Sequence, residues 1–150
     1  MKHTRTFLLV DDDTDDALLF GEVLEDVNPT IRLLTATDGI KALEALSNDD
    51  DIPEIIFLDL NMPRMDGKEC LAEIKADERL KDVKVIIYTT SSHSADVEQT
   101  MQMGATAFIT KPSNIHDLRN ILSSISSAQP GRLQQTLSRL CENPGTFIIC

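Results

Sequence analysis

The segment FLLVDDDTDDALLFGE, residues 7–22, places five aspartates within six positions directly after a short apolar run. The run is rich in Leu and Val and lacks helical periodicity, which is typical of a buried strand. Apolar residues beyond the aspartates, over residues 17–27, recur at helical spacing. The segment therefore predicts a buried strand, an acidic turn and a helix, in that order.

The acidic turn also matches part of an EF-hand calcium loop, but two features argue against that interpretation. Asp11, Asp13 and Asp15 occupy the first, third and fifth places of such a loop, and Glu22 occupies the twelfth. The sixth place requires a glycine for its sharp turn, and it holds Asp16. An EF-hand loop also follows a helix, whereas a predicted strand precedes this one. We therefore do not predict a calcium loop.

The same order of strand and helix recurs along the chain. Five apolar runs, each followed by a longer amphipathic segment, cover residues 6–10, 31–35, 55–58, 83–88 and 105–109. Near-continuous apolar strands that alternate with helices predict a parallel sheet covered on both faces. The expected fold class is α/β, a doubly wound, flavodoxin-like sheet of five parallel strands in the order 2-1-3-4-5.

Composition and charge limit the classes of partner. With 150 residues, 41% of them hydrophobic and 26% charged, the chain has the composition of one globular domain. The formal net charge of -11 repels phosphate backbones and anionic membranes. We therefore expect neither nucleic acid nor membrane as a partner.

The cysteines and the first residues indicate a compartment. Cys70, Cys141 and Cys150 are odd in number and widely separated, and the chain has no CxxC pair. This pattern argues against a disulfide framework or a zinc site and favours a reducing environment. The apolar run behind the basic residues 1–5 is too short for a signal peptide. We expect a cytoplasmic protein without disulfides.

Chemically useful side chains follow four of the predicted strands. Asp11 and Asp12 come after the first, Asp59 after the third, Thr89 at the end of the fourth and Lys111 after the fifth. The carboxyl ends of parallel strands share one edge of the sheet, where ligands bind in such folds. Three clustered carboxylates require a cation, and oxygen ligands with several waters suit Mg²⁺. A metal ion and a lysine beside Asp59 would hold a phosphoryl group, with Asp59 as the nucleophile.

Four segments carry a family resemblance: LLVDDD, IIFLDLNMPRMDG, VIIYTTS and GATAFITKP, in this order. As a set they resemble the receiver domain of two-component response regulators, the CheY-like fold, over about residues 5–126. The resemblance implies that Asp59 accepts a phosphoryl group from a sensor histidine kinase or a histidine phosphotransfer protein. It also implies a signalling switch rather than an enzyme, limited to Mg²⁺-dependent self-phosphorylation and slow autodephosphorylation. Output would pass to a downstream protein target.

The resemblance assigns roles to the other residues of the site. Asp12, Asp59 and the backbone carbonyl of Asn61 would bind Mg²⁺, and Asp11 would contribute indirectly. These assignments imply a metal site made only of oxygen ligands.

The same resemblance implies a switch at the ends of the fourth and fifth strands. Thr89 matches the switch hydroxyl, and Lys111 matches the phosphate-sensing lysine. Phe108 lies at the position of the switch aromatic residue, where several members have tyrosine. The Lys111–Pro112 bond is expected to be cis, as is usual in the family.

Two features indicate the type of regulator. The doublet Thr89-Thr90 followed by Ser91 is similar to the stand-alone, single-domain regulators that pair with bacterial phytochromes. Residues 1–127 would form the receiver domain, and residues 128–150 a tail of a short helix and an apolar arm, without a separate output domain. The tail could pack on its own domain or exchange with a second copy in a homodimer, and both arrangements fit the sequence.

Two other functions share parts of this pattern. A phosphatase of the haloacid-dehalogenase type also uses an aspartyl nucleophile, and Asp11 and Asp13 fit its first motif. However, Asp15 occupies a place where that motif has threonine or valine, and no acidic pair follows Lys111. A flavodoxin-like binding module would offer hydroxyls and amides to a phosphate, which Asp11 and Asp12 would repel. The phosphatase remains the alternative function.

Overall fold

The computed structural model describes residues 5–90, 93–129, 131–142 and 148–150. The strands are β1 (Arg5–Val10), β2 (Ile31–Ala36), β3 (Ile55–Leu58), β4 (Lys84–Thr89), β5 (Ala107–Thr110) and β6 (Ile148–Ile149). The α-helices are α1 (Thr14–Val27), α2 (Gly39–Leu46), α3 (Gly67–Ala76), α4 (Ser94–Gln102), α5 (Ile115–Ser127) and α6 (Leu133–Glu142). Ser91 of the phytochrome-type motif lies outside the described residues. None of the helices in the described ranges is both long and apolar enough to cross a membrane.

The six strands form one sheet in the order β2-β1-β3-β4-β5-β6. Strands β1 to β5 pair in parallel, which confirms the predicted α/β fold and the order 2-1-3-4-5. The sequence does not predict β6, which pairs antiparallel with β5 so that Phe108 lies opposite Ile149 and Ile109 opposite Ile148. A strand of two residues carries no recognisable periodicity, and its partner is set by the way the tail folds back.

Successive strand residues point to opposite faces of the sheet and build one apolar core on each face. Helices α1, α5 and α6 cover the first core, which contains the rings of Phe7, Phe20, Phe57 and Tyr88. The ring centroid of Phe20 lies 5.0 Å from that of Phe57 and 5.4 Å from that of Tyr88. Helices α2, α3 and α4 cover the second core, which contains Phe108. With both faces covered, the ends of the strands are the part of the sheet that is left for ligands.

The tail packs on its own domain in this structure. Leu133 and Leu137 of α6 and Ile148 of β6 are buried in the core that α5 also covers. A disulfide joins Cys141 and Cys150, whose Cα atoms lie 6.5 Å apart. The expectation of a chain without disulfides is therefore wrong. Strand β6 returns alongside α6 and so brings together two cysteines that do not form a CxxC motif.

Candidate functional site at the ends of the parallel strands

Backbone hydrogen bonds continue the sheet just past the strands that carry the site. The N–H of Asp59 donates to the carbonyl oxygen of Val10 at 2.9 Å. The N–H of Lys111 donates to the carbonyl oxygen of Thr89 at 2.7 Å. These bonds fix the backbone from which the charged side chains project toward one another.

Three carboxylates predicted from the strand ends come together. Asp11, Asp12 and Asp59 each offer an oxygen atom, and the three atoms lie within 4.8 Å of one another. Asp11 and Asp59 are buried, at 2% and 6% exposure, whereas Asp12 is exposed. Carboxylate oxygens are the ligands that hard divalent cations prefer, and the exposed member leaves room for water ligands. The donor set therefore fits a divalent metal ion.

Lys111 supplies the positive charge of the cluster. Its Nζ lies 2.8 Å from Oδ2 of Asp11, 2.9 Å from Oδ2 of Asp16 and 3.4 Å from Oδ2 of Asp59. Burial alone would lower the pKa of Lys111, but the hydrogen bonds with Asp11 and Asp16 and the charge of Asp59 outweigh it and raise the pKa above its ordinary value. The lysine is therefore a permanent cation at physiological pH.

Asp11 is the carboxylate that burial affects most clearly. Burial raises the pKa of Asp11 from 3.8 to about 6, although hydrogen bonds from Lys111 and from the N–H of Asp13 act in the opposite direction. The nearby charge of Asp59 raises it further. The cluster thus carries more negative charge than one lysine balances, which is the condition under which a bound cation is favourable.

Thr89 lies at the end of β4, and Phe108 lies on the neighbouring strand β5. The Thr89 hydroxyl is fully buried and has no hydrogen-bond partner among the described residues. A buried polar group without a partner costs about 1–3 kcal/mol, so it gains from any new acceptor within reach. Phe108 is fully buried in the second core. In the sheet it lies between Ile87 of β4 and Ile149 of β6.

The loop after β3 is held against Asp59 and against α2. The N–H of Asn61 donates to Oδ1 of Asp59 at 3.3 Å. The Arg64 guanidinium forms an ion pair of 2.9 Å with the buried carboxylate of Asp38, the N-cap residue of α2. The hydrogen bond from the N–H of Lys41 and the charge of Arg64 lower the pKa of Asp38. Both ends of the loop are therefore fixed, although no signal in the sequence connects Arg64 with Asp38.

The peptide bond before Pro112 contradicts the sequence-based expectation. The Lys111–Pro112 bond is trans, and none of the described peptide bonds is cis. The trans isomer of such a bond is favoured by roughly 0.5–1 kcal/mol in the absence of other constraints. The trans backbone already brings the Lys111 ammonium within reach of Asp11 and Asp59, so the cis form is not needed to place it.

Two residues that contact Lys111 are not predicted by the sequence. Asp16 pairs with the ammonium, although favourable interaction with the helix dipole is enough to explain an aspartate in the first turn of α1. The ring centroid of Tyr88 lies 5.7 Å from the Lys111 Nζ. By contrast Asp13 does not contact Lys111 but caps α1, accepting hydrogen bonds from the N–H groups of Asp15 and Asp16.

Comparisons with known proteins agree with this geometry. The family model described as response regulator receiver domain matches residues 7–123. The chain is 34% identical over 128 residues to the response regulator Rcp1 of Synechocystis sp., covering 82% of this chain and 87% of Rcp1. Mn²⁺-bound Rcp1 has a similar structure, with a TM-score of 0.73, 34% identity and coverage of 82% of this chain and 92% of that chain.

A second solved structure is the phosphorylated cyanobacterial phytochrome response regulator RcpA. Its TM-score is 0.74 at 33% identity, covering 81% of this chain and 91% of that chain. Fold and site together define a receiver domain, a signalling switch of two-component systems. The chain belongs to the response regulator receiver domain family, and its resemblance to phytochrome-associated regulators is confirmed. The phosphatase alternative is not favoured.

Proposed function

We propose that Asp59 is the phospho-acceptor of this receiver domain. The observation that carries the proposal is the buried Asp59 carboxylate, which has the Lys111 Nζ 3.4 Å from its Oδ2 and belongs to a cluster of three carboxylates. A carboxylate needs no general base to attack phosphorus. The remaining requirement is charge stabilisation, which Lys111 and a cation in the cluster would supply.

The phosphoryl donor that we propose is a phosphohistidine of a sensor kinase or of a phosphotransfer protein. A carboxylate oxygen of Asp59 forms a bond to phosphorus while the P–N bond of the phosphohistidine breaks. The electron pair of that bond leaves with the imidazole, which takes up a proton from solvent. The Lys111 ammonium stays beside the transferred group and interacts with its oxygen atoms.

We propose Mg²⁺ as the metal ion of the acidic cluster. Asp12, Asp59 and the backbone carbonyl of Asn61 would hold it, with Asp11 contributing indirectly. Three carboxylate oxygens within 4.8 Å of one another support an oxygen-ligated divalent ion, and Rcp1 has been solved with Mn²⁺. When bound, such an ion supplies the positive charge that offsets the negative phosphoryl oxygens.

The output step would use Thr89 and Phe108. A phosphoryl group on Asp59 offers acceptor oxygens to the Thr89 hydroxyl, which is buried without a partner. Movement of Thr89 toward the phosphoryl group changes the space beside β5, and the packing of Phe108 responds to it. This amounts to a shift between two packings of the surface formed by α4, β5 and α5, where β6 covers the outer edge of β5.

The partners and the compartment follow from the same proposal. The partners would be a histidine kinase or phosphotransfer protein upstream, a protein target downstream and a second copy of the chain in a homodimer. We propose a cytoplasmic location on the ground of the receiver-domain family alone, since the Cys141–Cys150 disulfide removes the argument from the cysteines. We also propose a receiver domain formed by residues 1–127, with residues 128–150 as its tail. Light scattering before and after truncation at Ser127 tests the homodimer, since an unchanged mass per particle contradicts a dimer made by the tail.

The experiment that tests the function is intact-mass analysis after incubation with acetyl phosphate and Mg²⁺. We expect one added phosphoryl group on the wild-type chain and none on Asp59→Asn. Omission of the metal ion should abolish the adduct. An equal adduct on the wild type and on Asp59→Asn would exclude Asp59 as the acceptor.

A Thr89→Ala variant tests the output step separately. It should accept the phosphoryl group, because Asp59 and Lys111 are intact, but it should lose the increase in affinity for the downstream target. The measurement is the affinity of the phosphorylated receiver for target protein that is immobilised on a surface. A wild-type affinity in phosphorylated Thr89→Ala would exclude Thr89 from the switch.

A further inference from the structure

Lys111 has a third carboxylate partner outside the metal cluster. Its Nζ lies 2.9 Å from Oδ2 of Asp16, in the first turn of α1, and this distance is shorter than the 3.4 Å to Oδ2 of Asp59. The two residues are 95 positions apart in the sequence, so the contact depends on the packing of α1 beside the end of β5. Asp16 thus draws the ammonium toward the rim of the site.

Three carboxylates share the ammonium of Lys111. Its Nζ donates hydrogen bonds to Asp16 at 2.9 Å and to Asp59 at 3.4 Å, and it forms an ion pair of 2.8 Å with Asp11. Because a lysine side chain has only three N–H protons, a phosphoryl oxygen on Asp59 must compete with these carboxylates for the ammonium.

Asp16 is the partner that can be released most easily. Its side chain is 39% exposed, whereas those of Asp11 and Lys111 are 0% and 8% exposed. Water can replace Lys111 at Asp16, but it cannot reach Asp11 as readily. The charge of Asp16 also repels an incoming phosphoryl group, which is itself negatively charged.

We propose that Asp16 is a positioning residue that holds Lys111 partly away from Asp59 in the unphosphorylated protein and so slows phosphorylation. The proposal rests on Asp59 as the phospho-acceptor. It deepens that function, because it makes the first turn of α1 a determinant of the rate at which the site is charged.

The chain contains its own reporter of the Lys111 position. Tyr88 is the only tyrosine, and the sequence has no tryptophan. Its ring centroid lies 5.7 Å from the Lys111 Nζ. Burial raises the pKa of Tyr88, so the phenol stays protonated and its emission is not confused with ionisation. A movement of the ammonium therefore changes the tyrosine fluorescence of the whole protein.

The test compares Asp16→Asn with Asp15→Asn. Asp15 lies in the same turn of α1, is exposed and forms no side-chain ion pair among the described residues, so its variant removes the same charge without removing the contact. A third variant, Asp16→Glu, keeps a carboxylate at the position. The measurements are Tyr88 emission without phosphoryl donor, the rate of phosphorylation by acetyl phosphate with Mg²⁺, and the affinity for beryllofluoride.

We expect Asp16→Asn to change Tyr88 emission while Asp15→Asn leaves it as in the wild type. Asp16→Asn should be phosphorylated roughly two- to fivefold faster than Asp15→Asn, the range that a half-exposed ion pair supports. It should also bind beryllofluoride more tightly, and Asp16→Glu should return all three values toward those of the wild type.

Equal emission in Asp16→Asn, Asp15→Asn and wild type would overturn the contact, whether or not phosphorylation occurs. Equal phosphorylation rates in the two asparagine variants would reduce Asp16 to a general surface charge and overturn the positioning role. Failure of the wild type to accept any phosphoryl group would instead overturn the proposed function. The proposed effect of Asp16 on the rate of phosphorylation would then be overturned as well.

Discussion

Burial raises the pKa of Asp11, whereas the contacts with Lys111 and with the N–H of Asp13 lower it. The pKa of Asp11, raised to about 6 by burial, means that the folded protein favours the neutral acid relative to the unfolded chain. The stability that this group contributes is fully present below the unfolded value of 3.8 and is lost as pH rises through about 6. At neutral pH the metal-free protein therefore carries an ionised carboxylate at a cost, which a divalent cation would offset.

We expect Asp11→Asn to stabilise the metal-free protein at neutral pH, because asparagine resembles the neutral acid. The gain in the free energy of unfolding should be about 1–3 kcal/mol and should shrink toward zero below about pH 4. Urea unfolding in the presence of a chelator, repeated across this pH range, provides the measurement. Asp15→Asn is the matched control, and a gain that does not depend on pH would contradict the assignment to Asp11.

The sequence predicts the site residues that directly follow strands and misses those that other parts of the fold contribute. Asp11, Asp59 and Lys111 could be placed together because the ends of parallel strands share an edge. Asp16 could not, since capping and solvation explain an aspartate in the first turn of a helix, and only the packed structure brings Lys111 to it. The same holds for Arg64 and its ion pair with Asp38.

The start of α3 sets the backbone of the site. A Cβ atom added at Gly67 would lie 2.2 Å from the carbonyl oxygen of Asp59 and 2.6 Å from the Cα of Leu60. The N–H of Gly67 also donates to the carbonyl oxygen of Leu60 at 2.9 Å. Helix and strand approach so closely that only glycine fits, and this fixes the backbone from which the Asp59 side chain projects.

Gly67→Ala should therefore disturb both the fold and the site. Because backbone atoms must move, we expect a loss of about 1–3 kcal/mol in the free energy of unfolding and a much slower phosphorylation by acetyl phosphate. Gly21→Ala is the control, since its Cβ would meet only the Leu33 side chain at 3.5 Å. That variant, inside α1, should be neutral or up to about 1 kcal/mol more stable. Equal effects in urea unfolding would contradict the close approach at Gly67.

The tail is the part of the molecule that is least predictable from the sequence. It contains the helix α6 and, beyond it, the two-residue strand β6. The antiparallel pairing with β5 and the Cys141–Cys150 disulfide depend on how distant segments meet, which neither periodicity nor cysteine spacing encodes. The five parallel strands, by contrast, repeat one local pattern and are predictable for that reason.

Replacing both Cys141 and Cys150 by serine should loosen the tail. The disulfide closes a loop with a sequence separation of 9 residues, and its loss should lower the free energy of unfolding by about 1–3 kcal/mol. Amide protons of β5 should exchange faster, because β6 is then held by a pairing of only two residues. Addition of a reductant should have the same effect on the wild type and none on the double variant. If the reductant affects the double variant as it affects the wild type, the effect has a cause other than this disulfide.

The antiparallel strand at the end of the sheet has a consequence for the behaviour of the protein in concentrated solution. Strand β5 would otherwise be the last strand of the sheet, with a row of unpaired backbone groups beside the buried Phe108 and Ile109. Such an open edge is a template on which other chains can add strands and aggregate. The tail occupies this edge with a strand of two residues, which is too short to extend the sheet further. By covering this edge, the tail opposes edge-to-edge association of sheets from different molecules.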